Sequence, residues 1–196
     1  MPARKSTPLR LTIEPVTPER WRDLETLFGE RGACAGCWCM WWRLPRSKFV
    51  AQKGEGNHRA LKRIVAGGEI PGLIAYHDGE PIGWCALAPR SDYLRLAKSR
   101  ILREVDEQPV WSITCFFVAR PFRRRGVTKK LLEAAVAYAK KKGATILEGY
   151  SVDAKTKSAD AFVYTGLAST FRAAGFEEVA RRSPTRPVMR CYLRGD

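Results

Sequence analysis

The spacing of apolar residues changes from period two to helical and back along the chain, with turn residues at the changes. From Leu9 to Val16 apolar and polar positions alternate, which predicts a strand with Leu11 and Ile13 on one side. Thr17-Pro18-Glu19 then supplies an N-cap, a first-turn proline and an acid, and Trp21, Leu24, Leu27 and Phe28 share one helical face. The polar, Gly-containing stretch Ser47–Asn57 reads as loop, and His58–Ala66 as a helix closed by Gly67-Gly68. Gly72–His77 and Pro81–Leu87 read as strands joined at Asp78-Gly79, a strong hairpin signal. The charged stretch 91–107 predicts a loop with a helical turn or two. Val110–Val118 is a near-continuous apolar run, as expected of a strand covered on both faces. Val127–Lys142 is the clearest helix. Val127, Leu131, Ala135 and Tyr138 stack on one face, lysines crowd the C-terminal end, and Gly143 stops it. Ala144–Val152 is a further strand and Phe162–Ala174 a helix. Glu178–Arg182 and Val188–Leu193 form a last hairpin. This order predicts an α/β (α+β) fold, a mixed sheet with helices on both faces.

The length, 196 residues, suits one domain. Residues 1–8 read as an N-terminal arm and residues 9–196 as a single domain. No apolar run approaches the roughly 20 residues of a membrane span. Met1–Lys5 carries charge with no apolar segment behind it, so a cytoplasmic location is expected. Lys and Arg number 35 against 20 Asp and Glu, a net charge of +15. That balance favours an anionic partner: nucleic acid, a membrane surface or a phosphorylated small molecule.

Val118–Lys130 is the segment richest in chemistry. An apolar strand ends, Arg123, Arg124, Arg125 and Gly126 make a short turn, and a helix starts at once. Such a junction aims unpaired N–H groups and the positive end of the helix dipole at one spot. Gly126 lets the backbone approach an anion, while Thr128 and Lys129 add a hydroxyl and a charge. This is a phosphate or pyrophosphate site. It is neither a Walker loop nor a dinucleotide fingerprint, because GxxxxGK[ST] and GxGxxG are both absent.

In this segment the sequence resembles the GNAT superfamily of acyl-CoA-dependent N-acyltransferases. The family's V-x-x-x-x-R/Q-x-x-G-x-G/A loop reads here Val118-x4-Arg123-Arg124-Arg125-Gly126-Val127-Thr128. Asp78-Gly79-Glu80-Pro81-Ile82-Gly83 resembles the family's upstream hairpin, and Phe171-x3-Gly175-Phe176 its "Y-x-x-x-GF" helix end. The resemblance spans residues 9–193. It implies a mostly antiparallel sheet of about seven strands with a splayed central pair. It also implies acetyl-CoA as co-substrate, no metal, and a small-molecule or peptide amine as acceptor. The amides of Arg124–Lys129 would hold the pyrophosphate. The backbone of Phe116, Phe117 and Val118 would pair with the pantetheine arm, and an N–H near Phe116 or Phe117 would polarise the thioester. The sequence departs from the family at Thr128, where Gly or Ala is usual, and at Phe171, where many relatives place a tyrosine acid.

The acid and base must then lie elsewhere. Glu148, on the strand ILEGY, is a candidate base, because a carboxylate on an apolar face can titrate near neutrality. Tyr164 and Tyr150 are candidate acids, and Asp153 could orient the amine. Cys115 reads as an inert core thiol. Gly32–Arg43 holds three of the six cysteines and three of the six tryptophans. Cys34-x2-Cys37-x-Cys39 has thiolate-ligand spacing without a fourth ligand at a familiar distance. The segment reads as buried thiols among indoles or, from its position in the resembled fold, as an acceptor pocket walled by Trp38, Trp41, Trp42 and Arg43. The alternative functions are a non-catalytic CoA-ester or anion binder and, less favoured, a small basic nucleic-acid binder. The last hairpin could pair across a homodimer.

Overall fold

The computed structural model describes residues 9–153 and 164–193. The arm at 1–8 and the start of the helix expected at Phe162 lie outside the described residues.

Seven strands form one sheet: β1 (Thr12–Pro15), β2 (Gly72–His77), β3 (Glu80–Pro89), β4 (Trp111–Val118), β5 (Ile146–Tyr150), β6 (Glu177–Arg181) and β7 (Pro187–Tyr192). Their order across the sheet is β1-β2-β3-β4-β5-β7-β6. Only β4 and β5 run parallel; every other neighbouring pair is antiparallel. The Asp78-Gly79 turn is formed as expected, with φ of 49° and 83°, the two left-handed residues of a tight hairpin.

Six α-helices are described: α1 (Trp21–Phe28), α2 (Arg46–Ala51), α3 (Glu55–Ala66), α4 (Leu94–Ala97), α5 (Val127–Lys141) and α6 (Ala168–Ala173). Two differ from expectation: α6 begins only at Ala168, since residues 164–167 are turn and bridge where a helix from Phe162 is expected, and α2 falls almost wholly inside the stretch read as loop. Its one buried residue, Phe49, meets the Trp41 ring edge-on at 5.1 Å, so tertiary packing supplies what the local pattern lacks.

The sheet is covered on both faces. On one, the apolar stripe of α5 and Phe171 of α6 pack on Leu73, Cys85, Ile113 and Leu147. On the other, α1, α3 and the Gly32–Arg43 segment pack on Ile74, Trp84 and Ala86. Trp21, Leu24, Leu27 and Phe28 are all buried there, as their spacing predicts. Among the described residues no helix is long and apolar enough to cross a membrane.

The parallel pair parts early. β4 and β5 share only three registered pairs, Trp111 with Leu147, Ser112 with Glu148 and Ile113 with Gly149. At that point the β3–β4 register slips, with Leu87 opposite Ile113 and Ala86 opposite Cys115, so Thr114 is an extra residue. A bulge bends and twists its strand, and here it turns the second half of β4 away from β5. The chain at 164–168 enters the gap: Phe116 N–H donates to Tyr164 O at 2.6 Å, and Val152 bridges Leu167.

Candidate active site

A cavity of about 940 Å³ opens where the strands part. Phe116, Phe117 and Val118 of β4 form its floor. Phe122, Arg123, Arg124, Gly126, Val127, Thr128 and Lys129 line one end. Cys34, Cys37, Cys39, Trp41, Trp42, Phe49, Cys115 and Tyr164 line the other. Nine of the ten residues expected to hold the cofactor thus share one wall. Arg125 is the exception: it is exposed, its guanidinium 5.9 Å from the Phe122 ring centre, outside the cavity lining.

The loop before α5 has the geometry of an anion cradle. Arg124 and Gly126 both adopt left-handed conformations, φ 60° and 82°. A left-handed residue beside right-handed ones turns successive N–H groups to one side. No side chain caps α5, so its first amides keep their donors for another partner. A Cβ at Gly126 would meet nothing within 4 Å, so glycine is there for its backbone freedom and not for want of space. Arg123 turns inward, and its Nε donates to Val118 O at 2.9 Å, tying the loop to the end of β4.

The expectation of an N–H donor at Phe116 changes in detail, because that group is engaged by Tyr164 O. Strand alternation then turns the Phe117 N–H toward β3, where Phe117 pairs with Trp84. Val118 is the next position whose N–H faces the gap.

Glu148 is not in the cavity. Its carboxylate is buried and accepts from Arg90 Nη1 at 3.1 Å, Arg190 Nε at 2.8 Å and Tyr150 OH at 2.8 Å. Tyr150 also bonds Ser112 Oγ. A carboxylate buried outside the cavity and held by two guanidiniums and a phenol cannot meet an incoming amine. The strand pattern shows an acid on an apolar face but not the arginines that meet it. Tyr150 is shut in with it, and burial raises its phenol well above the ordinary value. Asp153 is also diverted, pairing with Arg181 at 2.8 Å away from the cavity.

Tyr164 does reach the cavity. Burial pushes its phenol up to about 12, so it is a protonated donor at neutral pH. Arg186 and the Trp42 indole N–H act the other way, favouring the phenolate. At rest that indole N–H is buried without a hydrogen-bond partner. Phe171 lies below, fully buried against Phe116 and Phe176. A Cβ at Gly149 would stand 2.1 Å from its ring, so β5 needs glycine to seat it.

The Gly32–Arg43 segment divides. Trp38 belongs to the core, 4.4 Å from the His58 ring and stacked on Trp21. Arg43 is buried over Tyr93 and paired to Asp92. Trp41 and Trp42 alone of the expected four line the cavity. Ala33, Ala35, Trp38 and Cys39 all have positive φ, and this run of left-handed turns throws Cys34, Cys37 and Cys39 onto the cavity wall. Cys115 joins them, which its apolar neighbours in sequence hide. Hydrogen bonding to Cys39 and then burial raise the Cys37 thiol. Hydrogen bonding to Cys115 and then burial raise Cys39. Protonated thiols of this kind are poor nucleophiles. Among the described residues no three His, Cys, Asp or Glu come together as a metal site.

Comparison with known proteins agrees with this geometry. A family model described as the acetyltransferase (GNAT) family matches residues 35–163, well over half of the chain. No curated protein matches by sequence. Several solved structures do match. The PaiA N-acetyltransferase of Thermoplasma acidophilum, in complex with coenzyme A, aligns with a TM-score of 0.54 at 14% identity, covering 94% of this chain and 99% of that one. YncA of Salmonella typhimurium, with acetyl-CoA, aligns with a TM-score of 0.55 at 13% identity, covering 95% and 96%. A polyamine N-acetyltransferase of Drosophila melanogaster aligns with a TM-score of 0.55 at 10% identity, covering 94% and 100%. At these identities the likeness is one of fold.

Proposed function

The chain belongs to the GNAT family of acetyltransferases, and from that premise we propose that it moves an acetyl group from acetyl-CoA directly to an amine. The observation that carries this reading is one continuous cavity. It joins an uncapped helix start and a left-handed glycine at one end to an aromatic pocket with a buried phenol at the other.

The chain's own groups divide the work. The amides from Arg124 to Lys129 bind the pyrophosphate, and Arg124 and Lys129 neutralise it. The open edge of β4 beyond the bulge takes the pantetheine as an added strand, with the Val118 N–H facing it. The thioester carbonyl then lies near the fork, between β4 and Tyr164. The amine nitrogen bonds to the carbonyl carbon, the carbon–sulfur bond breaks, and the sulfur leaves as thiolate. Tyr164 gives its phenolic proton to that sulfur, while Trp42 N–H and Arg186 hold the resulting phenolate. The amine's surplus proton passes to water, since no carboxylate or histidine lines the cavity among the described residues.

Two measurements test this. Acetyl-CoA at a hundred times its Kd should stabilise the fold by about 2.7 kcal/mol, seen as a raised unfolding temperature. No shift near millimolar acetyl-CoA would sink the reading. Tyr164→Phe should keep that shift while kcat falls about a hundredfold or more, the usual worth of a general acid. Phe171, standing where the family's tyrosine acid is usual, favours a second reading, a non-catalytic CoA-ester binder. On that reading acetyl-CoA shifts the unfolding temperature but is never consumed with any amine.

A further inference from the structure

Cys34 and Cys37 play no part in the acetyl-transfer scheme above, yet both line the same cavity. The chain between them is a tight turn. Cys37 N–H donates to Cys34 O at 3.0 Å, and the central residues Ala35 and Gly36 are both left-handed, φ 49° and 73°. Such a turn brings its first and fourth Cα atoms within about 7 Å, which overlaps the roughly 4.4–6.8 Å that a disulfide spans. Alanine rarely adopts a left-handed conformation unaided, and the surroundings enforce it here. Gly36 N–H donates to Arg31 O at 2.8 Å, and Gly36 O accepts from Gly54 N–H at 2.9 Å and from Nδ2 of the buried Asn57 at 3.1 Å. A Cβ at Gly36 would stand 2.6 Å from Gly54 N, so the turn is seated tightly on the start of α3. The two thiols differ as attacking and resolving groups do. Cys34 is exposed, so a dissolved disulfide can reach it. Cys37 is half-buried. Its Sγ accepts the Cys39 N–H at 3.2 Å, and hydrogen bonding to Cys39 and then burial keep the thiol protonated. The other two sulfurs on the wall are engaged: Cys39 is buried and takes the Trp84 indole N–H at 3.0 Å, and Cys115 is hydrogen-bonded to Cys39.

We propose that Cys34 and Cys37 form a thiol–disulfide exchange site, which takes a low-molecular-weight disulfide and closes to a reversible disulfide in the cavity wall. The Cys34 thiol gives up its proton and its sulfur attacks one sulfur of the incoming disulfide. A bond to Cys34 Sγ forms, the incoming sulfur–sulfur bond breaks, and one thiolate leaves and takes up a proton. Cys37 then loses its proton to solvent and attacks Cys34 Sγ, expelling the second thiolate. Two protein thiols are oxidised, and one disulfide is reduced to two thiols. The turn holds Cys37 beside the mixed disulfide, and that proximity offsets its low thiolate fraction. A bond closing so short a loop adds little stability to the fold, so it stays reducible. The proposal stands on the turn and its two sulfurs, not on acetyl transfer.

The test uses the full chain, reduced and then equilibrated with excess glutathione disulfide. The reaction is quenched with acid, the protein is unfolded, free thiols are tagged with iodoacetamide, and tryptic peptides are read by mass spectrometry. Cleavage after Arg31 and Arg43 puts Cys34, Cys37 and Cys39 in one peptide. Reduced protein should carry a tag on each of the three. Oxidised protein should carry one, on Cys39, and dithiothreitol should restore the others. Cys37→Ser should stop the exchange halfway, with glutathione held on Cys34. Cys34→Ser should take up neither glutathione nor a disulfide. Both substitutions leave the main-chain bonds of the turn in place, and circular dichroism checks that both variants are folded. The anion cradle lies at the other end of the cavity, so acetyl-CoA should raise the unfolding temperature equally before and after oxidation. Three tags surviving oxidation, a lost tag on Cys39 or Cys115, a Cys37→Ser variant that holds no glutathione, or a Cys34→Ser variant that oxidises like the parent would each overturn the proposal. An acetyl-CoA shift confined to the reduced protein would overturn the placing of the effect in the acceptor wall. If acetyl-CoA shifts neither form, the acetyl-transfer reading falls, while the tags still decide this proposal.

Discussion

Two groups of arginines lie on either side of the parting strands, and they are built oppositely. Arg90 and Arg190 are closed in by carboxylates. Arg90 pairs with Glu104 and Glu148, and Arg190 with Glu148 and Asp106. Arg90 also donates to Leu102 O, and Arg182 reaches the carbonyls of Arg103 and Glu104. Together they pin residues 102–106 to β5 and β7. Arg124 and Arg125 of the loop before α5 have no such frame. Among the described residues neither Arg124 nor Arg125 is ion-paired, and Lys129 meets only Glu133 at 3.8 Å. Where the protein brings its own anions, arginine serves the fold. Where it leaves them out, positive charge and bare amides stay available to a ligand. Three clustered arginines look alike in a sequence; their counter-charges separate the two uses.

The largest expected effect tests the closed group. Glu148→Ala leaves two buried guanidiniums without their shared carboxylate, and breaking such a pair costs about 3–5 kcal/mol. Urea unfolding should show that loss. The acetyl-CoA shift should survive in whatever remains folded, because Glu148 lies outside the cavity. A loss below about 1 kcal/mol would mean that the network is not holding the loop. Next comes Gly126→Glu on the open side. Its left-handed φ adds about 1 kcal/mol of backbone strain, yet there is room for the side chain. The fold should therefore survive while the carboxylate repels the pyrophosphate and abolishes the acetyl-CoA shift. Arg124→Gly is smaller and sharper. It removes a guanidinium from a residue at φ 60°, so apo stability should hold or rise by up to about 1 kcal/mol. The acetyl-CoA shift should shrink. Destabilisation of the apo protein by Arg124→Gly would show that this arginine serves the fold after all.

The same contrast explains what could be read from sequence. The Asp78-Gly79 turn, the stripe of α5 and the strand–loop–helix junction at Val118–Val127 are local, and each was legible from residues a few positions apart. α2 was not, because one buried phenylalanine makes no period and Trp41 supplies its support. Glu148 was misread because its partners are remote: Arg90 is 58 positions away and Arg190 is 42. Cys115 and Tyr164 share a wall only because a bulge at Thr114 opens β4 from β5.

Acid titration separates the two groups with the smallest effect. The Arg190 guanidinium, bonding both oxygens, holds the Asp106 carboxyl down at about 2. A group lowered on folding adds stability that is complete above its unfolded value of about 3.9. That stability is lost as pH falls through the folded value. The unfolding free energy should therefore decline between about pH 4 and pH 2, and Asp106→Asn should flatten that part of the curve. The side chain is 37% exposed, so water screens the pair and the change stays small. Among the described residues Arg124 has no carboxylate partner to protonate, so Arg124→Gln should leave the acid limb as it is. Equal flattening by both variants would show that acid unfolding follows net charge, and the division between closed and open arginines would lose its titration signature.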